Sequence, residues 1–137
     1  MYKIIIATHG PLADAFKETL KMFTSDISDI YSVGLTELGV EDFKERLNAV
    51  VKECYEEDKE ILVLADLFGG TPFNTAMVEV KGKYENVEVI SGINLPLLIE
   101  SALLRNGELK DLLDGLKSSA QDAIMVPASS NANDDDE

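Results

Sequence analysis

The sequence holds a single cysteine, a single histidine and no tryptophan. Cys54 alone can form neither an internal disulfide nor a thiolate metal cluster, and a lone thiol is compatible with a reducing cytoplasm. Long hydrophobic runs are also missing. The longest, such as residues 61–65, span about five residues, against the ~20 that a membrane helix needs. Basic residues are few: 12 against 26 acidic ones, for a net charge of −14. Such a balance is a poor start for nucleic-acid binding, which needs a cationic face for the phosphates, and it disfavours anionic membranes. A basic protein partner is the natural complement, because opposite fields speed encounter; solubility alone is the plain alternative. Neither a G-x-G-x-x-G pattern nor a P-loop occurs, so nucleotide binding has no support. Met1-Tyr2-Lys3 leads directly into the first apolar run, so no signal peptide is expected.

What is present suits one domain with its own core: 137 residues, 45% of them hydrophobic. Apolar runs at residues 3–7, 27–33, 60–65, 87–90 and 123–126 read as strands. Helical stripes lie between them. Leu12, Phe16, Leu20 and Phe23 form the first, and Phe43, Leu47, Val50, Val51, Cys54 and Tyr55 the second. Phe73, Ala76, Met77 and Val80 form a short third. Leu98, Ile99, Ala102 and Leu103 form a fourth, and Leu109, Leu112, Leu113 and Leu116 a fifth. Strands alternating with helices predict an α/β domain, a mostly parallel sheet with helices on both faces. The last run precedes Pro127 and is expected at an edge. Residues 1–127 are read as the domain, and 128–137, small and polar and then acidic, as a tail or truncated linker.

In an open α/β sheet, ligands gather at the carboxyl ends of the strands, where strand order reverses. Those ends carry Thr8-His9-Gly10, Gly34-Leu35, the run from Asp66 through Leu67, Phe68, Gly69, Gly70 and Thr71 to Pro72, and Ser91-Gly92-Ile93-Asn94. If the first and third strands are neighbours, His9 and Asp66 meet. A carboxylate beside an imidazole accepts the proton of one ring nitrogen and leaves the other free as a nucleophile. It also stabilises the cationic ring that forms on attack. Gly69 and Gly70 let backbone N–H groups approach a ligand. Thr71 is placed to N-cap a helix with Pro72 at N1, and such a terminus favours an anion, for example a phosphoryl group. Thr8, Gly10, Phe68 and Asn94 would form the rim. Each part has a plain alternative: a structural histidine, an aspartate that only caps a turn, a simple loop-to-helix signal. The combination carries the weight. No metal and no cofactor is expected; a carboxylate cage is conceivable but no ligand spacing marks one.

With these motifs assembled, the chain resembles the IIA component of the mannose/fructose/sorbose-type sugar phosphotransferase system. The resemblance runs from about Met1 to Val126. It rests on Thr8-His9-Gly10, on the run from Asp66 to Asn74, and on Gly92-Ile93-Asn94-Leu95-Pro96. It implies a flavodoxin-like fold of strand order 2-1-3-4-5. The last strand would be antiparallel and exchanged between the subunits of a homodimer, and residues 123–126 would be that strand. It implies that His9 takes a phosphoryl group on Nε2 from the phosphocarrier HPr and passes it to a IIB protein or domain. Sugar is then phosphorylated during import through membrane IIC and IID components. Asp66 would hold the other ring nitrogen, and the Thr71 hydroxyl would support the phosphoryl oxygens. Such a phosphotransferase works in the cytoplasm. The alternatives are a regulatory or ligand-binding module of the same fold, including the related phosphocarrier of dihydroxyacetone kinase.

Overall fold

A computed structural model of the protein describes residues 1–128. The predicted tail, 128–137, lies outside the described residues except for Ala128, which is exposed. The elements alternate along the chain: β1 (Lys3–His9), α1 (Leu12–Leu20), β2 (Ile30–Leu35), α2 (Val40–Cys54), β3 (Ile61–Ala65), α3 (Thr71–Ala76). A π-turn (Met77–Lys81), β4 (Val87–Ser91), α4 (Leu95–Leu103) and α5 (Leu109–Asp122) follow. The four strands form one sheet in the order β2-β1-β3-β4, with every pairing parallel.

Alternation along the strands assigns side chains to two faces. Ile4 and Ile6 of β1 and Leu62 and Leu64 of β3 pack with Ala13 and Leu20 of α1, Leu97 and Leu98 of α4, and Leu109 and Leu116 of α5. Ile5 and Ala7, with Ile61 and Val63, pack on the other face against Phe43, Leu47 and Val51 of α2, Ala76 of α3 and Val80 of the π-turn. The two central strands are therefore apolar at nearly every position, as a parallel sheet covered on both sides requires. Among the described residues no helix is long and apolar enough to cross a membrane.

Two expectations need correction. The second strand begins at Ile30, not at residue 27. Asp26 to Asp29 form a turn instead: the Ser28 amide and hydroxyl both donate to Asp26 Oδ1, and Asp29 takes a left-handed backbone with φ +62°. Buried Arg105 pins this turn through the carbonyls of Ser28 and Asp26. Residues 123–126 form no strand. Helix α5 runs on to Asp122, and Ile124, Met125 and Val126 emerge exposed at its end. A strand exists through its neighbour's hydrogen bonds, and within a single chain this segment has no such neighbour. The sheet accordingly ends at β4.

Candidate active site at the crossover between the first and third strands

The chain leaves β1 toward β2 on one side and returns to place β3 on the other. Strand order thus reverses between β1 and β3, the switch point beside which an open α/β sheet gathers its ligands. His9 is the last residue of β1, and Asp66 directly follows β3. Their side chains meet: His9 Nδ1 lies 2.9 Å from Asp66 Oδ2. The same carboxylate oxygen accepts the His9 backbone N–H at 2.9 Å, and Oδ1 accepts the Leu67 N–H at 2.9 Å. Asp66 therefore holds both the ring and the backbone of His9.

The charge state of this carboxyl follows from its surroundings. Partial burial opposes ionisation of Asp66. Hydrogen bonds from the His9 amide, the His9 ring and the Leu67 amide outweigh it, and its carboxyl sits below its ordinary range. An ionised carboxylate can only accept, so Nδ1 must carry the ring proton. The lone pair of a neutral imidazole is then on Nε2. The side chain of His9 is 44% exposed and that of Asp66 only 12%. The imidazole is nearly half exposed while the carboxylate that orients it is sheltered.

Alternation along β1 explains the direction of the ring. Thr8 follows the parity of Ile4 and Ile6 and is fully buried. Its hydroxyl donates to the His9 carbonyl at 3.2 Å, so Thr8 supports the site from beneath and is not part of its open rim. His9 follows Ile5 and Ala7, toward α2 and α3. There it meets Gly70, where a Cβ would stand 3.1 Å from His9 Cε1. Gly70 is thus a wall of the imidazole pocket. Its amide donates to the Leu67 carbonyl, so what it offers the ring is the absence of a side chain. Gly70→Ala is expected to overpack this wall by about 1–3 kcal/mol, lowering the melting temperature and shifting the His9 ring resonances in NMR spectra. Ring signals identical to those of the parent protein would show that Gly70 does not touch the imidazole.

Thr71 is not the N-cap that its sequence context predicts. Gly70 takes the cap position in extended backbone, and its carbonyl accepts the Asn74 amide at 2.8 Å. Thr71 becomes the first helical residue, and Pro72 follows in the first turn, where a missing N–H costs nothing. The hydroxyl of Thr71 is therefore not consumed in capping. Gly69 sits at φ +79°, a conformation natural for glycine, and its carbonyl accepts Asn74 Nδ2 at 2.9 Å. Asn74, a member of the quoted motif, is what locks the glycine loop. Phe68 projects outward, 82% exposed, with its ring 4.9 Å from that of Phe73.

Asn94 belongs to a different task. Its Oδ1 caps α4 by accepting the Leu97 amide at 3.0 Å, and its Nδ2 donates to the Ala120 carbonyl of α5 at 3.0 Å. Both ends of its amide are committed to tying two helices together, so it does not serve the rim. The Gly92 amide, in contrast, donates to the Asp66 carbonyl at 3.1 Å and steadies the loop after β3.

Gly10 takes φ +59°, and its amide donates to the Leu35 carbonyl of β2 at 2.7 Å. The sequence reading missed why the neighbouring residue is glycine. A Cβ at Gly34 would collide with the Gly10 carbonyl oxygen. The only sequence signal for it was a glycine near the end of a strand. Among the described residues no cluster of three or more His, Cys, Asp or Glu side chains is placed to hold a metal ion.

Comparison with known proteins agrees with this arrangement. The family model EIIA-man, described as the PTS system fructose IIA component, matches residues 3–117. The chain is 34% identical to the PTS system fructose-specific EIIA component of Bacillus subtilis, over 92% of this chain and 86% of that one. It is 27% identical to the sorbose-specific EIIA component of Lacticaseibacillus casei, covering 98% and 99%. The mannose/sorbose specific IIA subunit from Enterococcus faecalis superposes with a TM-score of 0.83 at 31% identity, over 93% of this chain and 96% of that one. The chain belongs to the EIIA-man family: it is a IIA component of the mannose-type sugar phosphotransferase system, whose work is phosphoryl transfer in sugar uptake.

Proposed function

We propose that the protein is a histidine phosphocarrier that accepts a phosphoryl group from phospho-HPr on His9 Nε2 and delivers it to a IIB protein or domain. The observation that carries this reading is the His9–Asp66 pair, with Nδ1 bound 2.9 Å from a carboxylate and the His9 side chain nearly half exposed. The Nε2 lone pair attacks phosphorus in line. The bond between phosphorus and the donor's ring nitrogen breaks, and that nitrogen keeps the electron pair. The proton on Nδ1 stays in place against Asp66, which stabilises the cationic ring as the new N–P bond forms. Transfer to IIB reverses these roles, and His9 becomes the leaving group. The Gly69 and Thr71 amides and the Thr71 hydroxyl, at the mouth of α3, are the donors we assign to the phosphoryl oxygens. In this reading the carrier works in the cytoplasm and serves membrane IIC and IID components through IIB.

The test is mass spectrometry at neutral pH of protein incubated with phosphoenolpyruvate, enzyme I and HPr, with HPr omitted as control. One acid-labile phosphoryl group on the His9 peptide, dependent on HPr, is the expected result. A charged HPr that leaves the protein unmodified would turn the reading toward a regulatory or ligand-binding module.

The net charge of −14 gives the encounter a field. If it steers a basic partner, raising ionic strength from about 0.05 to about 0.5 M shortens the Debye length severalfold and slows second-order transfer from HPr by a comparable factor. A rate independent of salt would leave the acidity to solubility alone.

A further inference from the structure

Helix α2 reaches the catalytic turn through one side chain. Arg46 Nη2 donates to the backbone carbonyl of Gly34 at 2.6 Å, and its Nε is held by Asp42 Oδ2, one helical turn earlier, at 2.9 Å. Gly34 lies in β2, the edge strand of the sheet, where it pairs with Thr8, while the next residue, Leu35, pairs with His9. An edge strand has hydrogen-bonding neighbours on one side only, so its last residues fray unless something holds the other side. The guanidinium supplies that hold.

The end of β2 is in turn the back wall of the turn that follows His9. Leu35 accepts the Gly10 amide at 2.7 Å, and the Gly10 carbonyl lies so close to Gly34 Cα that no side chain fits there. His9 is thus gripped from two sides. Asp66 takes its amide and its ring from the β3 side, and β2 takes the next peptide from the other.

We propose that Arg46 is a positioning residue for His9, acting through the Gly34 carbonyl and the Gly10 turn to hold the imidazole in its reactive orientation. This rests on the phosphocarrier reading for its consequence, but not for its structural content. Arginine suits the task because its planar fork serves the Asp42 carboxylate and the Gly34 carbonyl at once. A displacement of ~1 Å costs a group-transfer step about 100-fold, so a turn that spends about nine-tenths of its time so displaced predicts a loss of about tenfold.

The experiment compares the full-length protein with Arg46→Met, which keeps an unbranched stem and removes the guanidinium, and with Arg46→Lys. Two quantities are read in each: the single-turnover rate of His9 phosphorylation by phospho-HPr, and the ¹⁵N and ring-proton NMR signals of the unphosphorylated His9. The expected result is a rate about tenfold lower in Arg46→Met, broadened or shifted His9 ring signals, and partial recovery of both in Arg46→Lys. A wild-type rate in Arg46→Met overturns the proposal. So does a slowed rate with unchanged His9 signals, which would place Arg46 in contact with the partner instead. Should Arg46→Met fail to fold, Gly34→Ala strains the same turn from the β2 side and is expected to disturb the same ring signals; unchanged signals there overturn the proposal. If the parent protein itself takes no phosphate, the phosphocarrier reading fails, while the ring signals still decide whether Arg46 positions His9.

Discussion

A His9→Gln protein takes up no acid-labile phosphate from phospho-HPr and still folds. His9 is the only histidine in the chain, so no second imidazole can substitute. Its ring is half exposed, and the side-chain pair it makes with Asp66 contributes no more than about 1 kcal/mol to stability, as other partly exposed pairs do. The backbone amide of residue 9 still binds Asp66 Oδ2 after the exchange, so the loop keeps its anchor. The two effects differ by orders of magnitude: complete loss of the acceptor against a shift of a few degrees in melting temperature. Mass spectrometry of the intact protein and a thermal melt measure both. Phosphate found on any other side chain of His9→Gln would remove His9 from the reaction.

Replacing Asp66 separates orientation from acceptance. Asp66→Ala retains the nucleophile and is expected to transfer about 100-fold more slowly or worse, because the ring loses its fixed tautomer and the charge that stabilises its cationic form. Asp66→Asn is the sharper control. Three N–H groups point at this carboxylate: the His9 amide and His9 Nδ1 at Oδ2, and the Leu67 amide at Oδ1. An asparagine must turn its NH₂ toward one of these oxygen positions. Facing Leu67 it opposes one donor and keeps the ring proton on Nδ1; facing His9 it opposes only the backbone amide once that proton moves to Nε2, which blocks the nucleophile. Asp66→Asn therefore removes the charge and releases the tautomer together, and its rate should fall well below that of the parent. Equal, undiminished rates in both variants, measured by rapid quench, would reduce Asp66 to a turn cap.

Asp66 also links stability to pH. Its folded pKa lies below the ordinary carboxylate value of about 3.9. Its contribution is therefore complete above that value and is lost as pH falls through the lower folded pKa. The gap in melting temperature between the parent and Asp66→Ala should accordingly be widest near neutrality and shrink below about pH 4.

The site was largely legible before any fold was known, because its parts are punctuation. A buried run ending on His9-Gly10, and another ending on Asp66 with two glycines, a threonine and a proline behind it, mark strand ends and a helix start by local chemistry. The helical stripes likewise anticipated all five helices, although the third continues into a π-turn that no periodicity announces. Less legible were positions whose role is set by a neighbour remote in sequence. Asn94 reads equally as a site residue or a cap, and only the position of Ala120 decides between them. Thr71 reads as an N-cap, yet Gly70 takes that place because Asn74 grips the glycine loop from within the helix.

The sequence by itself determined the α/β class, the strand ends, the lone histidine at one of them and the aspartate at another, because each of these is encoded within a few consecutive residues. Only the tertiary structure decided that β1 and β3 are neighbours, and so that His9 and Asp66 meet at 2.9 Å across 57 residues of chain. It also decided that Gly34 is glycine to admit the Gly10 carbonyl, and that Arg46 braces that turn from α2. It decided too that residues 123–126, apolar enough for a strand, stay unpaired within one chain. The physical reason is common to these cases. Burial patterns and turn preferences act over single turns and strands, whereas packing distances and sheet pairing depend on which segments the fold brings side by side.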